Sequence, residues 1–353
     1  MSGPPDRTDR QHSPSFGPHR RHQGCGSGTL SPDQLEVLFD QAVRDTIRRF
    51  EETGSPVITD GDQRKPSFAT YPIHGAANLA PGGVVIRFQD GHERQLPILT
   101  AGPFRYMRYA SSYLDAAKPL AHVPLKQAVI SASALSLLYP PTGIPGFSRD
   151  AFLDDLVQEA ERDIRKVLHR GARAQIDFTE GRLACKLDPS KGLLKGFIDL
   201  NNRVLERFTA AEQQQIGVHT CPGGDRDSTH SADVDFADLL PELFRLKVGN
   251  FYIQLASETD RPRVLAILGH HVANRRIFVG VTNPIDPNVE TADKVRDRVL
   301  EAARFIDPAH LGSTDDCGFS PFGDDTSTSR DIAFAKIRAR VQGTLMASAA
   351  LRI

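Results

Sequence analysis

Short apolar segments recur along this chain of 353 residues, and stretches with helical periodicity separate most of them. Apolar strands that alternate with helices indicate a parallel sheet, because a parallel connection needs a long crossover that is usually a helix. The sequence therefore predicts an α/β protein. Its seven candidate parallel strands are VITD (57–60), QAVISA (127–132), AQIDF (174–178), IGVHT (216–220), FYIQLA (251–256), IFVGVT (277–282) and LGSTDD (311–316).

Polar residues cluster at the carboxyl ends of these strands, and this favours a TIM barrel over an open doubly wound sheet. In a barrel the strand ends meet at one mouth, where the active sites of this fold lie. A nucleotide-binding open sheet carries a glycine-rich turn after an early strand, and this chain has none. The strand-end residues are Asp60, Asp177, His219, Cys221, Glu258, Asp286 and Cys317.

The chain divides into a tail and one barrel. Residues 1–29 are rich in Pro, Gly, Ser, His and Arg without apolar periodicity, which predicts a disordered tail before a single barrel over 30–353. The first helix is expected to begin at Ser31, because Pro32 suits the first helical position and Gln34 completes a capping box.

Charge and hydropathy exclude several classes of partner. The chain has 43 basic and 44 acidic side chains, so its net charge of −1 gives no electrostatic reason to bind nucleic acid or an anionic membrane. No apolar run approaches the roughly 20 residues that span a bilayer, and the first residues have no secretory signal. We therefore expect a cytoplasmic protein that binds small molecules, and the oligomeric state is not defined by the sequence.

A metal site is the first chemical hypothesis. His219 and Cys221 are two residues apart on one strand, so their side chains point to the same face. Cys317 follows the last predicted strand, Glu258 follows the strand at 251–256, and both would reach the same mouth. One His, two Cys and one Glu suit four-coordinate zinc. The alternative is that the cysteines are structural, as we expect for Cys185 in a packed segment.

Four motifs, in order, resemble segments of the C-terminal catalytic barrel of cobalamin-independent methionine synthase. The resemblance extends from about Ser31 to Ala347 and is specific through the order of the motifs rather than through any one of them. The motifs are TDGDQR (59–64), AQIDF (174–178), VHTC (218–221), which resembles the family's His-x-Cys zinc pair, and DDCGF (315–319), which resembles its Asp-Cys-Gly segment.

The resemblance implies zinc-dependent methyl transfer from a methyl-tetrahydrofolate-type donor to the thiol of homocysteine. It implies that His219, Cys221 and Cys317 bind Zn2+, and that Asp62 and Asp177 bind the amino group of the acceptor. Zinc coordination keeps a thiol as its thiolate at neutral pH, which makes it the nucleophile. The transfer is expected to be direct.

The chain departs from the family at three places. No convincing strand precedes the Ser31 helix, so the first barrel strand and its part of the acceptor pocket are in question. The family's zinc glutamate corresponds to Ala256, and Glu258 is expected to replace it. The family's histidine at the departing folate nitrogen is Asp286 in NPIDP (283–287).

These departures keep other functions open. A zinc-dependent thiol alkyltransferase could use a corrinoid or epoxide donor. A non-catalytic barrel with a structural zinc is the alternative from another class, and a metal-assisted hydrolase is the least favoured, because two thiolate ligands suit thiolate exchange better.

Overall fold

The computed structural model describes residues 31–88, 91, 93–220, 234–320 and 328–352. The predicted tail and Cys221 therefore lie outside the described residues. In the described part the strands are β1 (Leu79–Ala80), β2 (Val85–Arg87), β3 (Glu93–Gln95), β4 (Ile98–Leu99), β5 (Lys126–Ile130), β6 (Arg173–Asp177), β7 (Ile216–Thr220), β8 (Asn250–Ile253), β9 (Arg276–Thr282) and β10 (Leu311–Asp315).

Helices follow most of the long strands, as the alternating pattern predicts. The first helix has Ser31 as its N-cap and Gln34 in a complete capping box, so the predicted start is confirmed. The described helices are α1 (Pro32–Glu52), α2 (Ser111–Ala117), α3 (Ala132–Ser136), α4 (Arg149–His169), α5 (Glu180–Leu187), α6 (Gly192–Leu205), α7 (Ala210–Gln213), α8 (Phe236–Leu243), α9 (Arg261–His270), α10 (Ala292–Ala302) and α11 (Arg330–Leu351).

Six strands form the central parallel sheet, in the order β10-β9-β8-β7-β6-β5. A seventh parallel contact continues this order, where Ile58 bridges Leu125 just before β5. The predicted segment 57–60 thus joins the sheet through one bridge rather than a full strand. Every predicted parallel segment therefore contributes to one sheet, as expected for the strands of a TIM barrel.

The sheet curves around a filled interior. Lys126 on β5 places its Nζ 4.1 Å from the ring centre of Tyr252, which lies three strands away on β8. Tyr252 in turn stacks on Phe278 of β9, with ring centres 4.9 Å apart. Side chains of distant strands that meet inside the sheet are the packing of a barrel, in which layers of side chains fill the centre.

Two glycines make room for these interior rings. A Cβ at Gly217 would lie 2.5 Å from Cε2 of Tyr252, and a Cβ at Gly312 would lie 2.5 Å from Cε1 of Phe278. Each glycine is on the strand next to the ring that it accommodates. The interior layer therefore pairs a large residue with a small one across neighbouring strands.

The arc of strands ends at β10, whose outer edge has no partner strand within the described residues. All five residues of β10 are half-buried. Helix α11 contacts this strand, and the hydroxyls of Ser313 and Thr344 are 2.7 Å apart. The place of the questioned first strand is therefore beside β10, and the residues before Ser31 are outside the described part.

Two strands end two or more residues earlier than predicted: β5 at Ile130 instead of Ala132, and β8 by a larger margin. The apolar run predicts that β8 continues to Ala256, but the strand ends at Ile253. The carboxylate of Asp316 accepts hydrogen bonds from the backbone amides of Leu255, Ala256 and Ser257. These contacts turn the chain away from the sheet, because the amides bind a side chain instead of a neighbouring strand.

Within the described part of the chain, no helix has both the length and the apolar composition needed to cross a membrane. Two small antiparallel strand pairs, β2 with β3 and β1 with β4, lie between the first bridge and α2.

Candidate active site at the carboxyl ends of the strands

Asp177 and His219 lie side by side at the mouth of the barrel. They are register partners at the ends of β6 and β7, so their side chains are on the same face of the sheet. Gln175 donates a hydrogen bond to Oδ1 of Asp177 at 2.8 Å, and Lys126 donates one to Gln175. This chain of contacts connects the interior of the barrel to the mouth.

Burial perturbs both of these side chains. It raises the pKa of Asp177 to about 6, with the charge of Asp62 acting in the same direction and the hydrogen bond from Gln175 opposing it. Burial and the charge of Lys126 lower the pKa of His219 to about 4. The imidazole is therefore neutral at physiological pH, which is the form that binds a metal ion.

Asp62 lies in a tight turn just after the bridge at Ile58. Its backbone has a positive φ of 54°, a left-handed conformation in which aspartate is more common than most residues. Its amide donates to Oδ1 of Asp60 at 3.0 Å, which holds the turn. Nζ of Lys65 lies 3.0 Å from Oδ1 of Asp62, so this carboxylate forms an ion pair within its own turn.

Glu258 also forms an ion pair. Its Oε1 accepts a hydrogen bond from Nη2 of Arg182 at 2.6 Å and another from Nε2 of Gln254. Arg182 is fully buried and stacks over the ring of Phe236. Burial raises the pKa of Glu258, and the charge of Arg182 opposes this shift.

Cys317 is half-buried and follows directly after Asp316, beyond the end of β10. Asp316 is fully buried, and besides three amides it accepts a hydrogen bond from the hydroxyl of Ser257 at 2.8 Å. Burial raises its pKa against the effect of these bonds. Asp316 thereby joins the segment that carries Cys317 to the segment that leads to Glu258.

Asp286 lies in the loop after β9 and caps its own turn. Oδ1 accepts hydrogen bonds from the backbone amide and the side chain of Asn288, both at 2.9 Å. The amide of Asn288 lowers the pKa of Asp286. Lys336 of α11 holds this loop, because its buried Nζ forms an ion pair with Oε2 of Glu290 at 2.8 Å.

Three of the four predicted zinc ligands, His219, Glu258 and Cys317, are among the described residues, and Cys221 lies outside them. Among the described residues no three His, Cys, Asp or Glu side chains converge as a metal cluster. The neutral imidazole of His219 fits a zinc ligand. Glu258 already has Oε1 bound to Arg182, so its coordination of a metal would compete with a buried ion pair.

Sequence reasoning missed two buried cations of the site, Lys65 and Arg182. Each forms an ion pair with a carboxylate for which the sequence predicts a different partner. Lys65 binds Asp62, and Arg182 binds Glu258. Lys65 follows Asp62 by three residues in a turn, and that local spacing was a usable signal. Arg182 is far from Glu258 along the chain, and nothing in the sequence indicates their contact.

Comparisons with known proteins agree with this architecture. No family model matches the chain. It is 21% identical over 322 residues to a methionine synthase of Sulfolobus acidocaldarius, covering 91% of this chain and 85% of that protein. It is 18% identical over 319 residues to a methionine synthase of Saccharolobus solfataricus, covering 90% and 87%.

Solved structures have the same fold. A B12-independent methionine synthase from Shewanella sp. W3-18-1, in complex with selenomethionine, superimposes with a TM-score of 0.72 at 15% identity, covering 93% of both chains. A protein from Listeria monocytogenes, provisionally assigned as a vitamin-B12-independent methionine synthase, gives 0.65 at 18% identity, covering 90% of both.

The sheet, its filled interior and the polar groups at the strand ends define an α/β protein of the TIM-barrel class with its candidate site at the mouth. Over about nine-tenths of its length the chain is similar to proteins named methionine synthase, and it shares its fold with B12-independent methionine synthases. The predicted fold class and the predicted resemblance to the cobalamin-independent methionine synthase family are confirmed.

Proposed function

We propose that this protein transfers a methyl group from a methyl-tetrahydrofolate-type donor to the thiol of homocysteine, with Zn2+ as its cofactor. The observation that carries the proposal is the pair formed by Asp177 and His219, a carboxylate and a neutral imidazole in register at the barrel mouth. The methionine synthase relatives support the same reaction. The proposed location is the cytoplasm.

The proposed metal ligands are His219, Cys221 and Cys317, with Glu258 as the fourth candidate. When bound, zinc supplies Lewis-acid stabilisation of a thiolate at neutral pH. His219 is ready for this role without losing a proton. Glu258 would join the set only by giving up its contact with Arg182, so three ligands and one open position are the arrangement that the contacts favour.

Asp177 is the proposed group for the acceptor's ammonium. It is buried at the mouth, and its hydrogen bond from Gln175 fixes the orientation of the carboxylate. An ammonium close to Asp177 would bring its pKa back down, because an opposite charge stabilises the ionised carboxylate. Binding of the acceptor and ionisation of Asp177 are therefore coupled.

Asp286 is the proposed partner of the departing donor nitrogen, in the place where the family has a histidine. Its lowered pKa makes it a weak proton donor. This observation favours a second candidate, transfer from a corrinoid methyl group, because a corrinoid leaves without needing a proton.

Metal content and thiol binding test the proposal together. We expect stoichiometric zinc in the wild type, loss of zinc in Cys221→Ser and Cys317→Ser, and proton release when homocysteine is added. Cys185→Ser is the matched control, because Cys185 is a buried thiol in α5 that the site does not use. Zinc retained in either site variant would contradict the ligand set.

Methyl donors are tested by methionine formation. Methyl-tetrahydrofolate and methylcobalamin are supplied separately with homocysteine, and the donor that gives methionine decides between the two candidates. If neither donor gives methionine while zinc is bound, methionine synthesis is not the reaction of this protein.

A further inference from the structure

Lys65 is an ammonium group that the chain itself places in the mouth of the barrel. Its side chain is 1% exposed, and its Nζ lies 3.0 Å from Oδ1 of Asp62. The same Nζ donates a hydrogen bond of 2.8 Å to the carbonyl of Ala128 and lies 4.7 Å from the ring centre of Tyr71. These contacts fix the position of the charge.

The carboxylates of the mouth surround this lysine. Burial lowers the pKa of Lys65, but the charges of Asp62, Asp60 and Asp177 outweigh this effect and raise it overall. Lys65 is therefore charged whenever the protein is folded at neutral pH. An ammonium of this kind is chemically the same group as the amino group of an amino-acid acceptor.

Two ammonium groups cannot share Asp62 without repulsion. A second cation at this carboxylate would lie within a few ångströms of Nζ in a buried site, where like charges strongly disfavour each other. We infer that Lys65 occupies the ammonium position at Asp62, which leaves Asp177 as the one proposed contact of an acceptor's α-amino group, so that the site takes short thiol acids with or without that group. This inference rests on the proposed thiol alkylation and defines its acceptor class.

The activity toward homocysteine is compared with that toward its deaminated analogue, sulfanylbutanoate. This comparison distinguishes the proposed role of Lys65 from a merely structural one. We expect the wild type to use both thiols with kcat/KM values within about tenfold of each other, a difference of no more than about 1.4 kcal/mol. In Lys65→Met the carboxylate of Asp62 loses the cation at its side, and the ammonium of homocysteine can take that position. The preference for homocysteine should then rise by about tenfold or more.

Two variants serve as controls for charge and for folding. Lys65→Arg keeps the cation and should keep the wild-type ratio of the two thiols. Lys118→Met removes an exposed lysine that binds the carbonyl of Arg170, remote from the mouth, and should leave the ratio unchanged. If Lys65→Met does not fold, Asp62→Asn replaces it, and here the ratio should stay at the wild-type value.

Three results would overturn the inference. The first is a wild-type preference for homocysteine of about a hundredfold or more, because the site would then require the α-amino group; its disappearance in Asp62→Asn would identify Asp62 as the group that binds it. The second is an equal loss of activity toward both thiols in Lys65→Met, which indicates a structural role. The third is a changed ratio in Lys65→Arg equal to that in Lys65→Met.

Failure of the proposed function gives a different pattern. If the wild type methylates neither thiol, the proposed reaction is wrong. The role of Lys65 is then tested by the binding of the two methylated compounds. Methionine and methylsulfanylbutanoate are then titrated calorimetrically into the wild type. Affinities within about tenfold support the inference, whereas binding of methionine alone, or of neither compound, overturns it.

Discussion

The carboxylate of Asp316 passes directly over Gly280, and a Cβ at position 280 would overlap its Oδ1. Asp316 comes from the end of β10, crosses the middle strand β9 at this glycine and binds the amides that follow β8. A side chain on β9 would close this route. The absence of a side chain at position 280 is therefore what lets β10 hold the segment that leads to Glu258.

Replacement of this glycine tests the crossing. We expect Gly280→Ala to lower the free energy of unfolding by about 1–3 kcal/mol, the usual cost of overpacking, and to lower methyl transfer because Cys317 follows Asp316. Thermal unfolding and activity are measured on the same samples. The control is Gly196→Ala in α6, where a new Cβ meets nothing and a helix should become slightly more stable. Equal effects of the two changes would contradict the crossing.

The carboxylate itself is tested with Asp316→Asn. An amide keeps the shape but offers one acceptor oxygen instead of two, so some of the amides after β8 lose their partner. Each unsatisfied buried donor costs about 1–3 kcal/mol. We expect a loss of stability in urea unfolding, together with faster hydrogen exchange at Leu255, Ala256 and Ser257. Unchanged exchange at these amides would show that other groups hold the segment.

Glu180 gives the protein a pH-dependent stability. Burial raises its pKa to about 7, against hydrogen bonds from the hydroxyls of Ser133 and Ser131. A pKa above the unfolded value means that its stabilisation is complete below about pH 4.5 and is lost as the pH rises through about 7.

Glu180→Gln should remove this dependence, since glutamine does not ionise. Urea unfolding at pH values below and above this window should show wild-type stability falling relative to the variant, by up to about 1.4 kcal/mol per pH unit. Glu93→Gln, an exposed change on β3, should follow the wild type. A difference between wild type and Glu180→Gln that is constant with pH would refute the assignment.

The ion pair of Lys336 and Glu290 is the fourth test. Both side chains are buried, and Lys336 also donates to the carbonyls of Asn283 and Asn288. Lys336→Met leaves the buried carboxylate of Glu290 without its nearer cation, with Arg298 still 3.8 Å away, and should cost up to about 3–5 kcal/mol. Adding Glu290→Gln should restore part of this loss. A double variant no more stable than Lys336→Met would mean that the two charges are not coupled.

Local features were predictable from the sequence, and distant contacts were not. The start of α1 follows from Ser31, Pro32 and Gln34, which interact within one turn. The neighbourhood of Asp177 and His219 follows from strand ends in a parallel sheet. The end of β8 depends on Asp316, and no pattern within β8 contains that information.

The same distinction separates the predicted from the missed parts of the site. Asp62 lies in the turn after the bridge at Ile58, and Glu258 lies five residues beyond the end of β8; their present partners were not foreseen. Lys65 reaches Asp62 because the turn is left-handed at Asp62, and Arg182 reaches Glu258 from a helix after another strand. A carboxylate in a sequence shows a charge that needs a partner, and only the packed chain shows which cation supplies it.

The glycines at 217 and 312 have a consequence for how this barrel can change. Each faces an aromatic ring on the adjoining strand, Tyr252 for the first and Phe278 for the second. A larger residue at either glycine is acceptable only if the facing ring becomes smaller at the same time. We therefore expect each pair to vary jointly among homologues, and a redesign that reshapes the interior of the barrel should exchange both members of a pair in one step.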